Sequence, residues 1–216
     1  MSEAFPIHEH SHLVPRTARS FVVGGTRDLD ECWFVLHGYA ELAREFLAPF
    51  VPLATERRRI VAPEGLSRFY RRSTHGDVGA SWMTKVARED EIADHVRQLE
   101  QVRHDALHAH QAAKTKLLGF SQGVATVCRW YAKAEFEAER IVLWGGGVPP
   151  DLEQCEYERL AGSDLIVVIG NDDRYLREEV VKRELARMAE KGLKPTLVRF
   201  DGGHEIDPQT LADVLN

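Results

Sequence analysis

The chain contains few cysteines, and their arrangement argues against a cross-linked or metal-bound framework. Cys32, Cys128 and Cys155 are the three cysteines among 216 residues, and no C-x-x-C pair occurs. An odd and widely spaced set of this kind predicts free thiols. A chain of this length buries enough apolar surface to fold without cross-links. We therefore expect a single domain over residues 1–216, with no metal and no cofactor.

An excess of positive charge and long apolar runs are also missing. The formal net charge is −6, so no overall positive field would attract nucleic acid. No stretch approaches about 18 consecutive apolar residues, and residues 1–15 lack the basic and apolar regions of a secretory leader. We expect a cytoplasmic protein with no nucleic-acid partner and no stable membrane insertion. A homo-oligomer stays an open alternative, because the sequence carries no signal of oligomeric state.

Linkers, repeats and low-complexity tracts are absent, and short apolar runs alternate with longer helical patterns. This alternation is typical of an α/β fold with a mostly parallel central sheet flanked by helices. Strands are predicted at residues 20–23, 32–36, 59–62, 115–119, 140–144, 165–169 and 196–200, and helices near 40–46, 90–110, 122–134, 176–191 and 209–215. Segments 65–78 and 148–162 are long enough for loops over a site and too short for a large cap domain.

A candidate nucleophile lies between a predicted strand and a predicted helix. Residues 119–123 read Gly-Phe-Ser-Gln-Gly, which is a G-x-S-x-G pattern with Ser121 at its centre. A serine on such a sharp turn presents its hydroxyl at the carboxyl edge of the sheet, and the flanking glycines let strand and helix approach closely. The context, more than the pattern alone, indicates a nucleophilic serine.

Partners for this serine follow in the order Ser, acid, His that α/β-hydrolases use. A serine hydroxyl needs a base to remove its proton and an acid to orient that base. Asp172 and Asp173 come just after the strand at 165–169, and His204 follows the strand at 196–200. Sites in open α/β sheets form at such strand ends. Either aspartate satisfies this argument.

Two backbone N–H groups are expected to hold the negative charge that develops on the substrate's carbonyl oxygen. One belongs to Gln122, the residue after the nucleophile. The other comes from the loop after an earlier strand, where residues 37–39 read His-Gly-Tyr. Tyr39 is the predicted second donor.

Five motifs in order, HGYAE, GASWM, GFSQG, GNDDRYL and GGHEI, resemble the phospholipase/carboxylesterase family of small α/β-hydrolases, which includes the acyl-protein thioesterases. The resemblance extends from about Arg19 to the end of the chain. It implies an α/β-hydrolase fold without a large cap and a serine esterase or thioesterase that acts on a small-molecule ester or thioester.

The resemblance also implies roles for individual residues. Ser121 and His204 match the family's nucleophile and histidine motifs, and the family's G-x-x-D pattern falls on Asp173, which leaves Asp172 to cap the following turn. The tryptophan-centred motif beside the site falls on Trp82, with Met83 next to it as a second substrate-binding candidate. Both are equally compatible with a place in the core.

Other interpretations stay open. A binding protein can keep a hydrolase scaffold without turnover, and a peptidase or a cofactor-free perhydrolase can use the same three side chains.

Residues 145–147 read Gly-Gly-Gly after a strand but lack the G-x-G-x-x-G spacing of a nucleotide loop. His104 and His108 share one helix face, yet spacing fixes no third metal ligand.

Overall fold

The computed structural model describes residues 7–110 and 113–216. The first six residues, part of the segment predicted to lack a leader, lie outside this description. Nine strands and six α-helices are described, together with one 3₁₀ helix. The strands are β1 Ser20–Gly24, β2 Glu31–Leu36, β3 Arg58–Pro63, β4 Ser67–Tyr70, β5 Val78–Ser81, β6 Lys114–Phe120, β7 Ala138–Trp144, β8 Asp164–Gly170 and β9 Thr196–Phe200. The helices are α1 Ala43–Phe46, α2 Arg88–Leu107, α3 Gln122–Lys133, α4 Gln154–Ala161, α5 Glu178–Glu190 and α6 Pro208–Leu215, and the 3₁₀ helix is Ala48–Leu53.

Seven of the strands form one sheet in the order β1-β3-β2-β6-β7-β8-β9. Only β1 runs antiparallel to its neighbour, and the other pairs are parallel. All seven predicted strands are present, and the predicted mostly parallel sheet is confirmed. Because parallel strands end at one edge, the loops after β2, β6, β7, β8 and β9 meet there.

Apolar side chains cover both faces of the sheet. Along β2, Cys32 and Phe34 pack into one core while Trp33 and Val35 pack into the other. The first core lies under α2, α3, α4 and α5, and the second under α1, the 3₁₀ helix and α6. After Glu31 this strand is apolar to its end, as a strand buried on both faces should be.

Three segments differ from the sequence prediction. The helix expected near 40–46 begins only at Ala43, because Glu41 forms a β-bridge with Ala80 that holds the chain extended. The predicted loop 65–78 contains β4, which pairs with β5 as an antiparallel hairpin. The predicted loop 148–162 contains α4, which begins with a capping box between Glu153 and Glu156. None of these additions is a large cap.

Candidate active site

Ser121 occupies the turn between β6 and α3 in a backbone conformation that non-glycine residues rarely adopt, with φ of 53° and ψ of −113°. The two glycines of the motif make the turn sterically feasible. A Cβ on Gly119 would lie 2.4 Å from the carbonyl oxygen of Gly123, and one on Gly123 would lie 2.3 Å from that of Leu36. Residues with side chains therefore cannot replace them without displacing the backbone. The strained turn holds Ser121 at the carboxyl edge of the sheet.

The structure brings Ser121, His204 and Asp173 together from the ends of β6, β9 and β8. Ser121 Oγ lies 2.9 Å from His204 Nε2. His204 Nδ1 lies 2.7 Å from Asp173 Oδ2. The side chain of Asp173 is 1% exposed, whereas that of His204 is 15% exposed. A buried carboxylate, an imidazole and a hydroxyl are thus connected in a single hydrogen-bonded chain.

Asp173 also caps the turn that follows β8. Its Oδ1 accepts the backbone N–H groups of Tyr175, at 2.8 Å, and Leu176, at 3.1 Å. The sequence expectation gave the cap to Asp172, and this expectation is wrong. Asp172 is exposed, whereas the buried carboxylate of Asp173 accepts the N–H groups of the turn.

The imidazole of His204 stands against three neighbours. The ring of Phe120 lies 5.0 Å from it and the ring of Tyr175 lies 4.8 Å from it, between centroids. A Cβ on Gly145 would lie 3.1 Å from His204 Cε1. The first glycine of the Gly-Gly-Gly run therefore leaves room for the imidazole. Sequence analysis missed this role, although the run's place after a strand was the signal.

The backbone N–H of Tyr39, in the loop after β2, makes no hydrogen bond to the described residues. Gly38 N–H donates to Glu41 Oε2 at 2.6 Å, and Ala40 N–H donates to Ala80 O at 2.9 Å. Glu41 N–H donates to Gly38 O at 3.4 Å. The N–H groups of the residues before and after Tyr39 are therefore paired, whereas that of Tyr39, the predicted oxyanion donor, is not.

Gln122, the other predicted oxyanion donor, is the first residue of α3, where a backbone N–H has no acceptor within the helix. Its side chain accepts the N–H of Trp82 at 3.1 Å and donates to Met83 O at 2.9 Å. The same residue therefore links the nucleophile's turn to the segment that follows β5.

Trp82 and Met83 support the loops around the site. The ring of Trp82 is buried, stacks on His37 at 4.9 Å and donates its Nε1–H to His37 O at 2.9 Å. The Met83 sulfur lies 3.2 Å from Arg129 Nη1. Direct contact of Trp82 or Met83 with substrate stays a prediction.

His37 is held in its neutral form. Its Nδ1 lies 2.7 Å from Gly38 O, and its Nε2 accepts the N–H of Gly65 at 3.0 Å. A ring that donates at one nitrogen and accepts at the other carries one proton. Burial lowers the pKa of His37, which also favours the neutral form.

Glu41 is a further residue of the site that sequence analysis did not select. It contributes to an open groove of about 530 Å³ beside His204, together with Phe46, Phe120 and Arg71. Burial raises the pKa of the Glu41 carboxyl, and the hydrogen bond from Gly38 partly opposes that rise. The acidic residue at the end of the HGYAE motif was the available signal.

The placement of the His, Cys, Asp and Glu side chains bears on a metal site and on a thiol nucleophile. Within residues 7–110 and 113–216, no group of three or more His, Cys, Asp or Glu side chains could hold a metal ion. Cys128 is buried in the first core, and burial raises the pKa of its thiol to about 12. Such a thiol is a poor nucleophile near neutral pH.

In the part of the chain that the structure describes, no helix has the length and apolar character needed to span a membrane.

Several solved structures share this architecture. Acyl-protein thioesterase 2 from Zea mays aligns with a TM-score of 0.68 at 16% identity, over 92% of this chain and 96% of that chain. A carboxylesterase from Mesorhizobium loti aligns with a TM-score of 0.68 at 18% identity, over 92% and 94%. The chain has the α/β-hydrolase fold. A phospholipase/carboxylesterase from Dyadobacter fermentans aligns with a TM-score of 0.62 at 16% identity, over 94% and 98%. No protein-family model matches the chain, and no curated protein sequence matches it.

Proposed function

We propose that this protein is a serine hydrolase that cleaves a carboxylic ester or thioester through an acyl-enzyme, and that it is a member of the phospholipase/carboxylesterase family. The observation that carries this proposal is the hydrogen-bonded chain from Ser121 through His204 to Asp173, at 2.9 Å and 2.7 Å. A serine in a strained turn, with an imidazole on its hydroxyl, is arranged for nucleophilic attack.

In the first half-reaction, Ser121 Oγ attacks the carbonyl carbon of the substrate and His204 Nε2 takes the hydroxyl proton. The carbonyl oxygen becomes an oxyanion, which the N–H groups of Tyr39 and Gln122 hold. When the tetrahedral intermediate collapses, the bond to the alcohol or thiol breaks, and this leaving group takes the proton from His204. The products are an ester on Ser121 and a free alcohol or thiol.

In the second half-reaction, water attacks the acyl carbon while His204 takes one of its protons. A second oxyanion forms in the same position. Its collapse breaks the bond to Ser121 Oγ, which takes the proton back from His204. The carboxylic acid leaves, and the enzyme returns to its starting state.

The surroundings of the acid support this assignment. Asp173 accepts two backbone N–H groups as well as the imidazole. A carboxylate that accepts a hydrogen bond from Nδ1 fixes the imidazole with its proton on that nitrogen, which leaves Nε2 free to accept the proton of Ser121.

Labelling with a fluorophosphonate tests the proposal directly. We expect a stoichiometric mass increase at Ser121, and Ser121→Ala should abolish both labelling and hydrolysis without unfolding the protein. Rates on p-nitrophenyl esters of rising acyl length, with matched thioesters, would define the preferred acyl group. An unlabelled Ser121 in a folded protein would favour a binding protein. Labelling without ester or thioester cleavage, combined with peptide cleavage, would favour a peptidase, and peracid formation from hydrogen peroxide a perhydrolase.

A further inference from the structure

We propose that Glu41 is a positioning residue whose carboxylate holds the peptide plane that precedes Gly38. This contact restrains the next peptide plane, so that its N–H, which belongs to Tyr39, points at the substrate's oxyanion. The inference rests on the proposed hydrolase function. It assigns a role to a side chain that neither attacks the substrate nor transfers a proton.

The two peptide groups on either side of Gly38 are held at every polar atom except one. In the peptide that precedes Gly38, Trp82 Nε1–H donates to the carbonyl of His37, and the N–H donates to Glu41 Oε2. In the peptide that follows, the carbonyl of Gly38 lies 2.7 Å from His37 Nδ1. The N–H of Tyr39 belongs to this second peptide and has no acceptor among the described residues.

Because peptide groups are planar, these contacts determine the direction of the Tyr39 N–H. The carbonyl and the N–H of a trans peptide point to opposite sides of the chain. With Gly38 O turned toward the His37 ring, the Tyr39 N–H is turned the other way. Gly38 is a glycine between two such planes, and it rotates freely unless both planes are held. Glu41 holds the N–H side of the first plane, and Trp82 holds its carbonyl side.

The fit between Glu41 and Gly38 is close. A Cβ on Gly38 would lie 2.9 Å from Glu41 Oε2 and 3.1 Å from the ring of Phe120. The positive φ of Ala40, 64°, turns the chain so that the Glu41 side chain reaches back over three residues. The hydrogen bond from Gly38 N–H to Glu41 therefore requires both a residue without a Cβ at position 38 and an acceptor at position 41.

This role needs an acceptor atom and does not need a negative charge. An amide oxygen at the same position can accept the N–H of Gly38 equally well, whereas an apolar side chain of the same length cannot. The pair Glu41→Gln and Glu41→Met therefore separates the hydrogen bond from the charge and from the volume of the side chain.

The experiment compares kcat, KM and the affinity for an alkyl boronic acid, which forms a tetrahedral adduct with a nucleophilic serine, in these variants and in the wild-type protein. Glu158→Gln, an exposed position on α4, is the control for the chemical change. We expect Glu41→Gln to stay within about 3-fold of wild type. Glu41→Met should lose roughly 10- to 100-fold in kcat, a part of what loss of a whole oxyanion donor costs. Its KM should change little, and its boronic acid affinity should fall in parallel with kcat.

The outcomes that overturn the inference differ from those that overturn the proposed function. Wild-type kcat in Glu41→Met, a loss confined to KM, or equal losses in Glu41→Gln and Glu41→Met would each remove the positioning role. If Glu41→Met does not fold, Glu41→Ala removes the acceptor without adding a large apolar group and carries the same expectations. Failure of the wild-type protein to label at Ser121 would instead contradict the hydrolase function itself.

Discussion

The carboxylate of Asp173 contacts both His204 and the next turn, because Oδ2 lies 2.7 Å from His204 Nδ1 while Oδ1 accepts two backbone N–H groups of that turn. The same side chain therefore orients the proposed base and closes the loop that holds the acid in place. Rotation of the carboxylate would break both sets of contacts, which restricts the histidine to one orientation.

The first prediction compares the two adjacent aspartates. Asp173→Asn places an amide against His204 Nδ1, and the imidazole then loses the tautomer that can accept the proton of Ser121. We expect kcat to fall by about 10⁴-fold. Asp172→Asn alters an exposed side chain and should keep most of the activity and the melting temperature. Steady-state kinetics on a p-nitrophenyl ester, with circular dichroism to verify folding, would test this ranking. The reverse ranking would move the acid to Asp172.

A second prediction concerns the space beside the imidazole. Gly145→Ala puts a Cβ about 3.1 Å from His204 Cε1, at a backbone φ of 63°. We expect lower kcat because the imidazole must shift away from Ser121, and a loss of about 1 kcal/mol of stability because of the left-handed backbone.

Gly192→Ala is a matched control for Gly145→Ala. Its φ is 87°, and nothing lies within 4 Å of the added Cβ. It should show a similar loss of stability by urea unfolding with unchanged kcat. Equal activity in the two alanine variants would show that the contact with His204 does not limit catalysis.

A third prediction tests the support that Trp82 gives to the loop after β2. Trp82→Phe keeps an aromatic ring on His37 but removes the Nε1–H that donates to His37 O. Loss of this hydrogen bond leaves a buried carbonyl without its donor, and we expect a cost of about 1–3 kcal/mol in the free energy of unfolding. We also expect a reduced kcat with little change in KM. A variant that loses activity through KM alone would instead indicate that Trp82 contacts the substrate.

A fourth prediction links pH to stability through His95. Burial, with a smaller contribution from nearby Arg129, lowers the pKa of His95 from 6.5 to about 4. Between these two pH values the unfolded chain binds a proton that the folded chain does not, so stability falls as the pH falls from about 6.5 to 4. The expected contribution of His95 is about 2 kcal/mol between pH 7 and pH 5.

The variant His95→Leu isolates this contribution. It should lose less stability than wild type over the same pH interval, as measured by urea unfolding at pH 7 and pH 5. The comparison of differences matters because other groups titrate in both proteins. An identical pH dependence in the two proteins would show that His95 protonates equally well in the folded state.

Local patterns in the sequence were sufficient for the architecture and for the order of the proposed site residues. Short apolar runs predicted the seven strands of the main sheet, and an inner strand such as β8 is almost wholly apolar because both of its faces are buried. Gly119 and Gly123 on either side of Ser121 predicted the sharp turn, because only glycine tolerates the backbone contacts that the turn creates. The positions of Asp173 and His204 after strands predicted that both lie at one edge.

Only the tertiary structure decided which atoms meet at that edge. The G-x-x-D pattern of the resemblance gave the acid to Asp173 and the cap to Asp172, whereas in the structure Asp173 contacts both the imidazole and the N–H groups of the turn. Glu41 lies beside the site because it accepts the N–H of Gly38. Gly145 lies there because it packs against His204, which is far away in the sequence. β4 of the β4–β5 hairpin and α4 lie in segments where only loops were expected. They were not predicted because neither segment has a long apolar period. Sequence periodicity records which face of an element is buried, whereas the contacts that orient a catalytic group depend on how separate elements pack.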